Sequence, residues 1–215
     1  MNWSYIPEDK DGALVTYATT VPIEGKCTWQ ADTLDYLLSF YNKNTFRRCI
    51  DAGANYGFLS VGFSKYFKNV EAFELSSDIR HHLGINVKNI PNIRVHQKGL
   101  YDTTTSVNFE LREQSGASGI IGHGGVTEQV TTLDSFNYDD VDLLKIDVEG
   151  AEWDILTNFD IKKYNPKMAI VEVHEKHPLS WKRESGNFKI INKYFIDNGY
   201  TYLYGDDINS IWILN

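Results

Sequence analysis

The stretch CIDAGANYG, residues 49–57, constrains the fold of this chain more than any other. It joins a strand-like run, whose one charged residue is Asp51, to a loop in which Gly53 and Gly57 lie four positions apart. Glycine lets the backbone adopt positive φ angles and approach a ligand where a Cβ atom would collide. A helix that begins after such a loop presents unpaired N–H groups. The pattern therefore predicts a strand–loop–helix unit with a ligand-binding turn.

A second acidic residue indicates what kind of ligand this turn binds. Glu74 lies near the end of the apolar run VEAFEL, residues 70–75, about one helix after the glycine loop. In strand–helix–strand units that bind nucleosides, a carboxylate at this place accepts hydrogen bonds from ribose hydroxyls. We therefore expect Glu74 and the adjacent Leu75 to contact a ribose-bearing ligand.

Missing motifs narrow the choice of ligand. The loop lacks the middle glycine of G-x-G-x-x-G, and the chain contains no G-x-x-x-x-G-K-[ST] phosphate loop. The Asp51 carboxylate would repel a pyrophosphate but attract an ammonium group. S-adenosylmethionine carries an ammonium and a ribose, so these features favour it as cofactor. The alternative is that the glycines only form a tight turn, with Asp51 capping it.

Alternating apolar and polar runs predict a single α/β domain over residues 1–215. The third predicted strand begins near Asn92 and ends at Lys98, Gly99 and Leu100, which makes Gly99 and Leu100 candidates for adenine contacts. Strands are predicted at 48–51 and 70–74, helices at 32–41, 58–68 and 78–87, and an N-terminal extension with a short hairpin at 1–27.

Residues 101–132 interrupt this alternation. TTSVNFEL and VTEQVTTL alternate like antiparallel strands, and the segment between them is too rich in glycine for a helix. We expect a hairpin or flap, which would be either a mobile lid or a plain surface loop. His123 lies among glycines and is expected to be a solvated loop residue rather than a catalytic one.

The chemical centre is predicted at VDLLKIDVEGAE, residues 141–152. Lys145 interrupts a buried strand, where a charge needs a partner or a function. Because side chains alternate along a strand, Lys145 and Asp147 point to the same face. In the next predicted strand, MAIVEVH, Glu172 and His174 also share one face. Two explanations of Lys145 remain open. It could form a purely structural ion pair with Glu172, or it could orient a methyl acceptor.

Three residues are the catalytic candidates. His174 is the expected general base because its unperturbed pKa near ~6.5 suits proton removal at neutral pH. Either Lys145 or Glu149 would orient the substrate hydroxyl, whereas Glu152 fits the first turn of a helix through the helix dipole. Asp147, Glu149 and His174 could alternatively hold a divalent cation, but their spacing is not diagnostic and no metal is expected.

The motifs CIDAGANYG, VEAFEL and especially KIDVEGAE resemble those of the FkbM-like methyltransferases, a class I family that uses S-adenosylmethionine. The resemblance covers roughly residues 28 to 175. It implies a doubly wound, Rossmann-like sheet of seven mostly parallel strands, and methyl transfer usually to an oxygen of a small molecule or sugar. The expected cofactor-binding residues are Asp51, Gly53, Ala54, Asn55, Gly57, Glu74, Leu75, Gly99, Leu100 and Asp147.

The amino-acid composition of the chain limits the classes of partner and the compartment that we expect. Lys and Arg number 21 against 29 Asp and Glu, and the net charge of −8 argues against a nucleic-acid-binding face. Cys27 and Cys49 lack metal-ligand spacing, and the N-terminus does not resemble a signal peptide, so we expect a reducing cytoplasm. No apolar run approaches the ~20 residues of a membrane span. The expected acceptor is a small molecule or carbohydrate.

Two other classes of protein remain as alternatives. A non-catalytic protein could use the same pocket only to bind the cofactor. A short-chain oxidoreductase would need a Tyr-x-x-x-Lys pair beside a full glycine fingerprint, which this chain does not show.

Overall fold

The computed structural model describes residues 3–7, 46–113, 115, 118–173, 188–205 and 209–215. The hairpin expected around residues 13–25, the helix expected at 32–41 and the candidate base His174 lie outside these ranges.

In the part of the chain that the structure describes, eleven strands form two sheets. The strands are β1 Arg48–Ala52, β2 Asn69–Phe73, β3 Ile93–His96, β4 Gly99–Leu100, β5 Thr105–Glu110, β6 Gly119–Ile121, β7 Val126–Thr131, β8 Val141–Ile146, β9 Met168–Glu172, β10 Tyr200–Gly205 and β11 Asn209–Leu214. The large sheet has seven strands in the order β10-β11-β9-β8-β1-β2-β3. Its strands from β9 to β3 pair in parallel, and β11 is antiparallel to both β9 and β10. The predicted mostly parallel α/β sheet is confirmed.

The described helices are short. They are α1 Phe58–Phe63, α2 Ser77–Val87, α3 Glu152–Thr157, α4 Ile161–Tyr164 and α5 Phe188–Asp197, with a 3₁₀ turn at Leu133–Phe136. Helix α1 ends before the predicted residue 68, because Lys65 and Tyr66 donate their N–H groups to carbonyls three residues back, as in a tighter turn. Among the residues described, no helix is long and apolar enough to span a membrane.

The central strands are buried on both faces. Ile50 of β1 and Leu144 of β8 belong to one core cluster, and their neighbours Cys49 and Leu143 belong to a cluster on the other face. All six residues of β8 are buried. This explains the continuous apolar run that surrounds Lys145, because a parallel strand covered on both sides has no solvent face.

Residues 101–132 form most of the small sheet, whose strand order is β4-β7-β5-β6. The predicted hairpin is present as the antiparallel pair β5–β7, and part of the glycine-rich segment forms β6. Gly99 and Leu100 do not extend the third strand as expected. β3 ends at His96, and a bend at residues 97–98 directs β4 to pair with β7.

The glycine loop lies directly against the end of β8. Gly53 has a φ angle of +76°, and a Cβ atom built on it would lie 1.5 Å from the Asp147 carbonyl oxygen. The Gly53 and Ala54 N–H groups both donate to the Phe73 carbonyl of β2 at 2.9 Å. The loop is therefore fixed between the ends of β2 and β8, and only glycine fits at residue 53.

We expect Gly53→Ala to lower the free energy of unfolding by roughly 2–4 kcal/mol, because positive-φ strain and a backbone clash combine. Gly84→Ala is the matched control, since nothing lies within 4 Å of a Cβ built at that helical position. It should stabilise the protein by roughly 0.5–1 kcal/mol. Urea unfolding of both variants measures the difference, and equal stability would contradict the packing seen at Gly53.

Candidate functional site

The Glu74 carboxylate joins the two loops that follow β1 and β2. Its Oε2 accepts a hydrogen bond from the Asn55 N–H, and its Oε1 accepts one from the Ser76 N–H, both at 2.9 Å. The residue is only 7% exposed. Burial raises the pKa of Glu74, and the two N–H groups oppose this rise. The carboxylate predicted to bind ribose is thus held firmly at the glycine loop.

The rest of the glycine loop is fixed by packing. Asn55 has a φ angle of 50°, and its Oδ1 accepts a hydrogen bond from the Tyr56 N–H at 2.7 Å. Ala54 is buried. A Cβ atom on Gly57 would lie 2.5 Å from Leu83 Cδ1, so this glycine is needed where the loop packs on α2. The absence of a Cβ atom at Gly57 therefore allows the glycine loop to pack closely on α2.

The three residues predicted beside the adenine lie together. A Cβ atom on Gly99 would lie 2.8 Å from Leu75 Cδ1, so β4 passes in direct contact with the loop after β2. Leu100 is buried in the main core cluster, whereas Leu75 is partly exposed. Of the three, Leu75 offers the accessible apolar surface.

Lys145 lies at the centre of a buried charge network. Its Nζ donates to the Gly53 carbonyl at 2.9 Å and to the Ala52 carbonyl at 3.3 Å. The same atom lies 3.3 Å from Asp51 Oδ1 and 3.4 Å from Asp147 Oδ2. Burial favours the neutral amine, but the charges of Asp147 and Asp51 outweigh it and raise the pKa of Lys145. The ammonium stays protonated and cannot act as a base.

Lys145 forms its close ion pairs with Asp51 and Asp147, whereas the predicted partner Glu172 contributes only through its charge. In the register of β8 and β9, Lys145 lies opposite Ile170, and the carboxylates that it contacts belong to Asp51 and Asp147. Asp51 is fully buried, and its Oδ2 accepts a hydrogen bond from Ser60 Oγ at 2.5 Å. The carboxylate expected to attract the cofactor ammonium therefore faces the lysine inside the sheet.

Three carboxylates gather where β8 and β9 end. Asp147, Glu149 and Glu172 each place one oxygen within 4.8 Å of the others. Glu172 is 7% exposed, and burial, the Asp147 charge and a hydrogen bond with Asp147 raise its pKa well above the ordinary value. Carboxylate oxygens are the ligands that Mg²⁺ and Ca²⁺ prefer, so this group could hold a divalent cation. The sequence had placed His174 in that role instead of Glu172.

Glu152 does more than complement a helix dipole. It is buried, and its Oε1 accepts hydrogen bonds from the Gly150 N–H at 2.9 Å and the Val148 N–H at 3.2 Å. Burial raises its pKa. The loop between β8 and α3, in which Glu149 has a φ angle of 59°, is therefore shaped by this side chain.

The small sheet supplies contacts to the site that the sequence had not assigned. Ser115 accepts a hydrogen bond from Asn55, and Glu128 of β7 accepts one from Ser77 at the start of α2. One signal was present in the sequence. Glu128 shares the buried face of an alternating strand with Val130, where a charged residue is unusual and indicates a specific partner.

We expect Lys145→Met to lower the free energy of unfolding by about 3–5 kcal/mol, because it leaves the buried Asp51 carboxylate without its counter-charge. Adding Asp51→Asn should recover part of the loss. Lys193→Met is the control, since that side chain is 75% exposed in its pair with Asp197 and should change stability by less than about 0.5 kcal/mol. Urea titrations measure all three variants, and a loss no larger than that of the control would contradict the network.

The raised pKa of Glu172 predicts how the stability of the protein changes with pH. In the folded protein the pKa of Glu172 lies above its ordinary value of 4.5, so the folded state binds this proton more tightly than the unfolded state does. The contribution of Glu172 to stability is therefore greatest at acid pH and falls as pH rises. Glu172→Gln removes this penalty, and its stability relative to the native protein should increase from pH 4.5 towards neutrality. A stability difference that stays constant over this range would contradict the raised pKa of Glu172. Thermal melts across this pH range provide the measurement.

Comparisons with known proteins bear on the family and the fold of this chain. A sequence model of the methyltransferase FkbM domain matches residues 51–202. A search of curated protein sequences finds no match.

Similar folds occur among solved structures. The FkbM methyltransferase of Methylobacillus flagellatus KT superposes with a TM-score of 0.53 at 15% identity, over 80% of this chain and 44% of that protein. The match thus spans less than half of that relative. A proposed RNA methyltransferase of Pyrococcus horikoshii superposes with a TM-score of 0.50 at 13% identity, over 86% of this chain and 83% of that one. Because the family model covers most of the chain, including the glycine loop, Glu74 and the KIDVEGAE string, the chain belongs to the FkbM methyltransferase family.

Proposed function

We propose that this protein is an S-adenosylmethionine-dependent methyltransferase that methylates a hydroxyl oxygen of a small molecule or sugar. Family membership supports methyl transfer. The observation that carries the proposal is the Glu74 carboxylate, held by the N–H groups of Asn55 and Ser76 where the glycine loop and the loop after β2 meet. Each carboxylate oxygen keeps further capacity to accept a hydrogen bond from a ribose hydroxyl.

The charges around the loop fit a cofactor without phosphate. The Lys145 ammonium is matched by Asp51 and Asp147, and the Arg80 guanidinium donates to the Glu74 and Leu75 carbonyls. Neither cation is therefore set to pair with a phosphate. The carboxylate of Glu74 would itself repel one.

The ammonium of the cofactor would meet Asp147 rather than Asp51. The Asp147 side chain is 22% exposed at the end of β8, whereas that of Asp51 is 0% exposed. This assignment changes the role expected for Asp51, whose charge stabilises Lys145 inside the sheet. Asp147 is the carboxylate of this network that a ligand can reach.

The bound sulfonium supplies a methyl group that is already electrophilic, so the protein's main tasks are alignment and proton removal. Glu149, beside Asp147, would orient the acceptor hydroxyl. His174 would accept its proton, which rests on its place two residues after Glu172 in the sequence. Lys145 would act indirectly, because its contacts hold the glycine loop and the end of β8.

Two further parts of the proposal concern metal dependence and the cellular compartment. The carboxylates of Asp147, Glu149 and Glu172 support a metal-dependent variant of the same reaction, but alignment by side chains suffices for transfer from a sulfonium, and we propose a metal-independent enzyme. The buried, free Cys49 is compatible with a reducing cytoplasm.

The proposal is tested by measuring cofactor binding and methyl transfer together. Calorimetry should detect binding of S-adenosylmethionine and of S-adenosylhomocysteine, and Glu74→Ala should weaken both by ~1.5–3 kcal/mol, the usual loss for a hydrogen bond to a charged group. Cofactor with a labelled methyl group should then transfer its label to acceptors from small-molecule and carbohydrate extracts. Identification of the labelled group as a methyl ether would show that the acceptor atom is oxygen.

Asp78→Asn is the control for Glu74, because Asp78 is an exposed carboxylate in the first turn of α2. Its affinity for the cofactor should match that of the native protein. Tight binding of NAD instead of S-adenosylmethionine would contradict the cofactor assignment, and binding without transfer to any acceptor would favour a non-catalytic protein. Loss of turnover in EDTA, with recovery in Mg²⁺ or Mn²⁺, would identify the carboxylate cluster as a metal site.

A further inference from the structure

We propose that the small sheet is part of the cofactor site and that Glu128 is a positioning residue for the ribose-binding loop. The inference rests on the proposed function, because it concerns how the same cofactor is held. It assigns a role to the insert at residues 101–132 beyond that of a lid or surface loop.

Glu128 is connected to the loop that carries Glu74. The side chain is 7% exposed, and its Oε1 accepts hydrogen bonds from the Ser77 N–H at 2.7 Å and from Ser77 Oγ at 2.6 Å. Its Oε2 lies 3.7 Å from Arg80 Nη2. Arg80 Nη1 in turn donates to the Glu74 carbonyl at 2.6 Å and to the Leu75 carbonyl at 2.7 Å. The backbone that follows the ribose-binding carboxylate is therefore held from the small sheet, through Ser77 and Arg80.

A second contact reaches the glycine loop. Asn55 Nδ2 donates to Ser115 Oγ at 3.0 Å, and Ser115 is only 5% exposed. Asn55 is also the residue whose N–H binds the Glu74 carboxylate. The insert thus touches the glycine loop through Ser115, and through Glu128 it touches the start of α2, directly after the loop that carries Glu74.

The small sheet itself does not need a carboxylate at residue 128. Val130, two positions along the same buried face of β7, fills its place with an apolar side chain. Burial of Glu128 carries a desolvation cost that only charged or hydrogen-bonding partners offset. Its named partners, Ser77 and Arg80, both belong to α2, which begins at the ribose-binding loop.

The experiment measures S-adenosylhomocysteine binding by calorimetry in the native protein, Glu128→Gln and Glu110→Gln. Glu110 is the matched control, because it forms an ion pair with Arg112 at 2.6 Å on the same sheet with a side chain that is 45% exposed. Glu128→Gln should raise the dissociation constant about tenfold, the change expected for weakening one charge-assisted contact. The stoichiometry should not change. In the methyl-transfer assay the KM for cofactor should rise while kcat at saturating cofactor is retained.

The Ser115 contact is tested by a double-mutant cycle on the same dissociation constant. Ser115→Ala should weaken binding severalfold in the native background and have no further effect in the Asn55→Ala background, because the hydrogen bond is already absent there. Equal effects of Ser115→Ala in both backgrounds would overturn this part of the inference.

Other outcomes separate this inference from the proposed function. If the native protein does not bind S-adenosylhomocysteine, the proposed function fails and the inference fails with it. If the native protein binds but Glu128→Gln has the same dissociation constant as native, only the inference is overturned. A lower stoichiometry with an unchanged dissociation constant would also overturn it, because a partly misfolded sample and not a displaced loop would explain that result.

Discussion

The contact of the Lys145 ammonium with four oxygens is the interaction on which the rest of this site depends. Two of these oxygens are the carbonyls of Ala52 and Gly53, and two belong to the carboxylates of Asp51 and Asp147. The ends of β1 and β8 and the start of the glycine loop therefore share one cation. Burying an ammonium is unfavourable by itself, and here two carboxylates and two carbonyls compensate it. Without this cation, the fully buried Asp51 would lose the counter-charge at 3.3 Å and the Gly53 carbonyl would lose the ammonium donor.

This network divides the acidic residues of the site into two groups. Asp51, on the inner side of Lys145, is enclosed by the sheet and serves the architecture. Asp147, on the outer side, contacts both Lys145 and Glu172 and is partly exposed. Because Asp147 is already stabilised as an anion by the lysine, the adjacent buried Glu172 is the carboxyl that retains its proton. At the outer end of the network the negative charge therefore falls on the partly exposed Asp147 rather than on the more buried Glu172.

The periodicity of the sequence predicts which face of the sheet a side chain occupies, but it does not predict register. A period of two puts Lys145 and Asp147 on one face, and their side chains do meet at the end of β8. The Glu74 carboxylate does contact the glycine loop, through the Asn55 N–H. The partner of Lys145 could not be derived, because β8 has neighbours on both sides and the register with β1 places Asp51 directly opposite Lys145. The break between β3 and β4 also depends on tertiary pairing, since nothing local in HQKGL requires Gly99 to pair with Val130.

The position of the insert in the chain explains why it can reach both cofactor loops. It begins at β4, where Gly99 packs against Leu75 in the loop after β2, and it returns to the large sheet at β8 beside the glycine loop. Between these points β7 carries Glu128 to the start of α2, and the segment between β5 and β6 carries Ser115 to Asn55. The Glu74 carboxylate already joins the two loops through the Asn55 N–H. A displacement of the small sheet would therefore be transmitted to both loops at once, and the affinity for a ribose-bearing ligand is tied to a part of the chain that has no need to contact it.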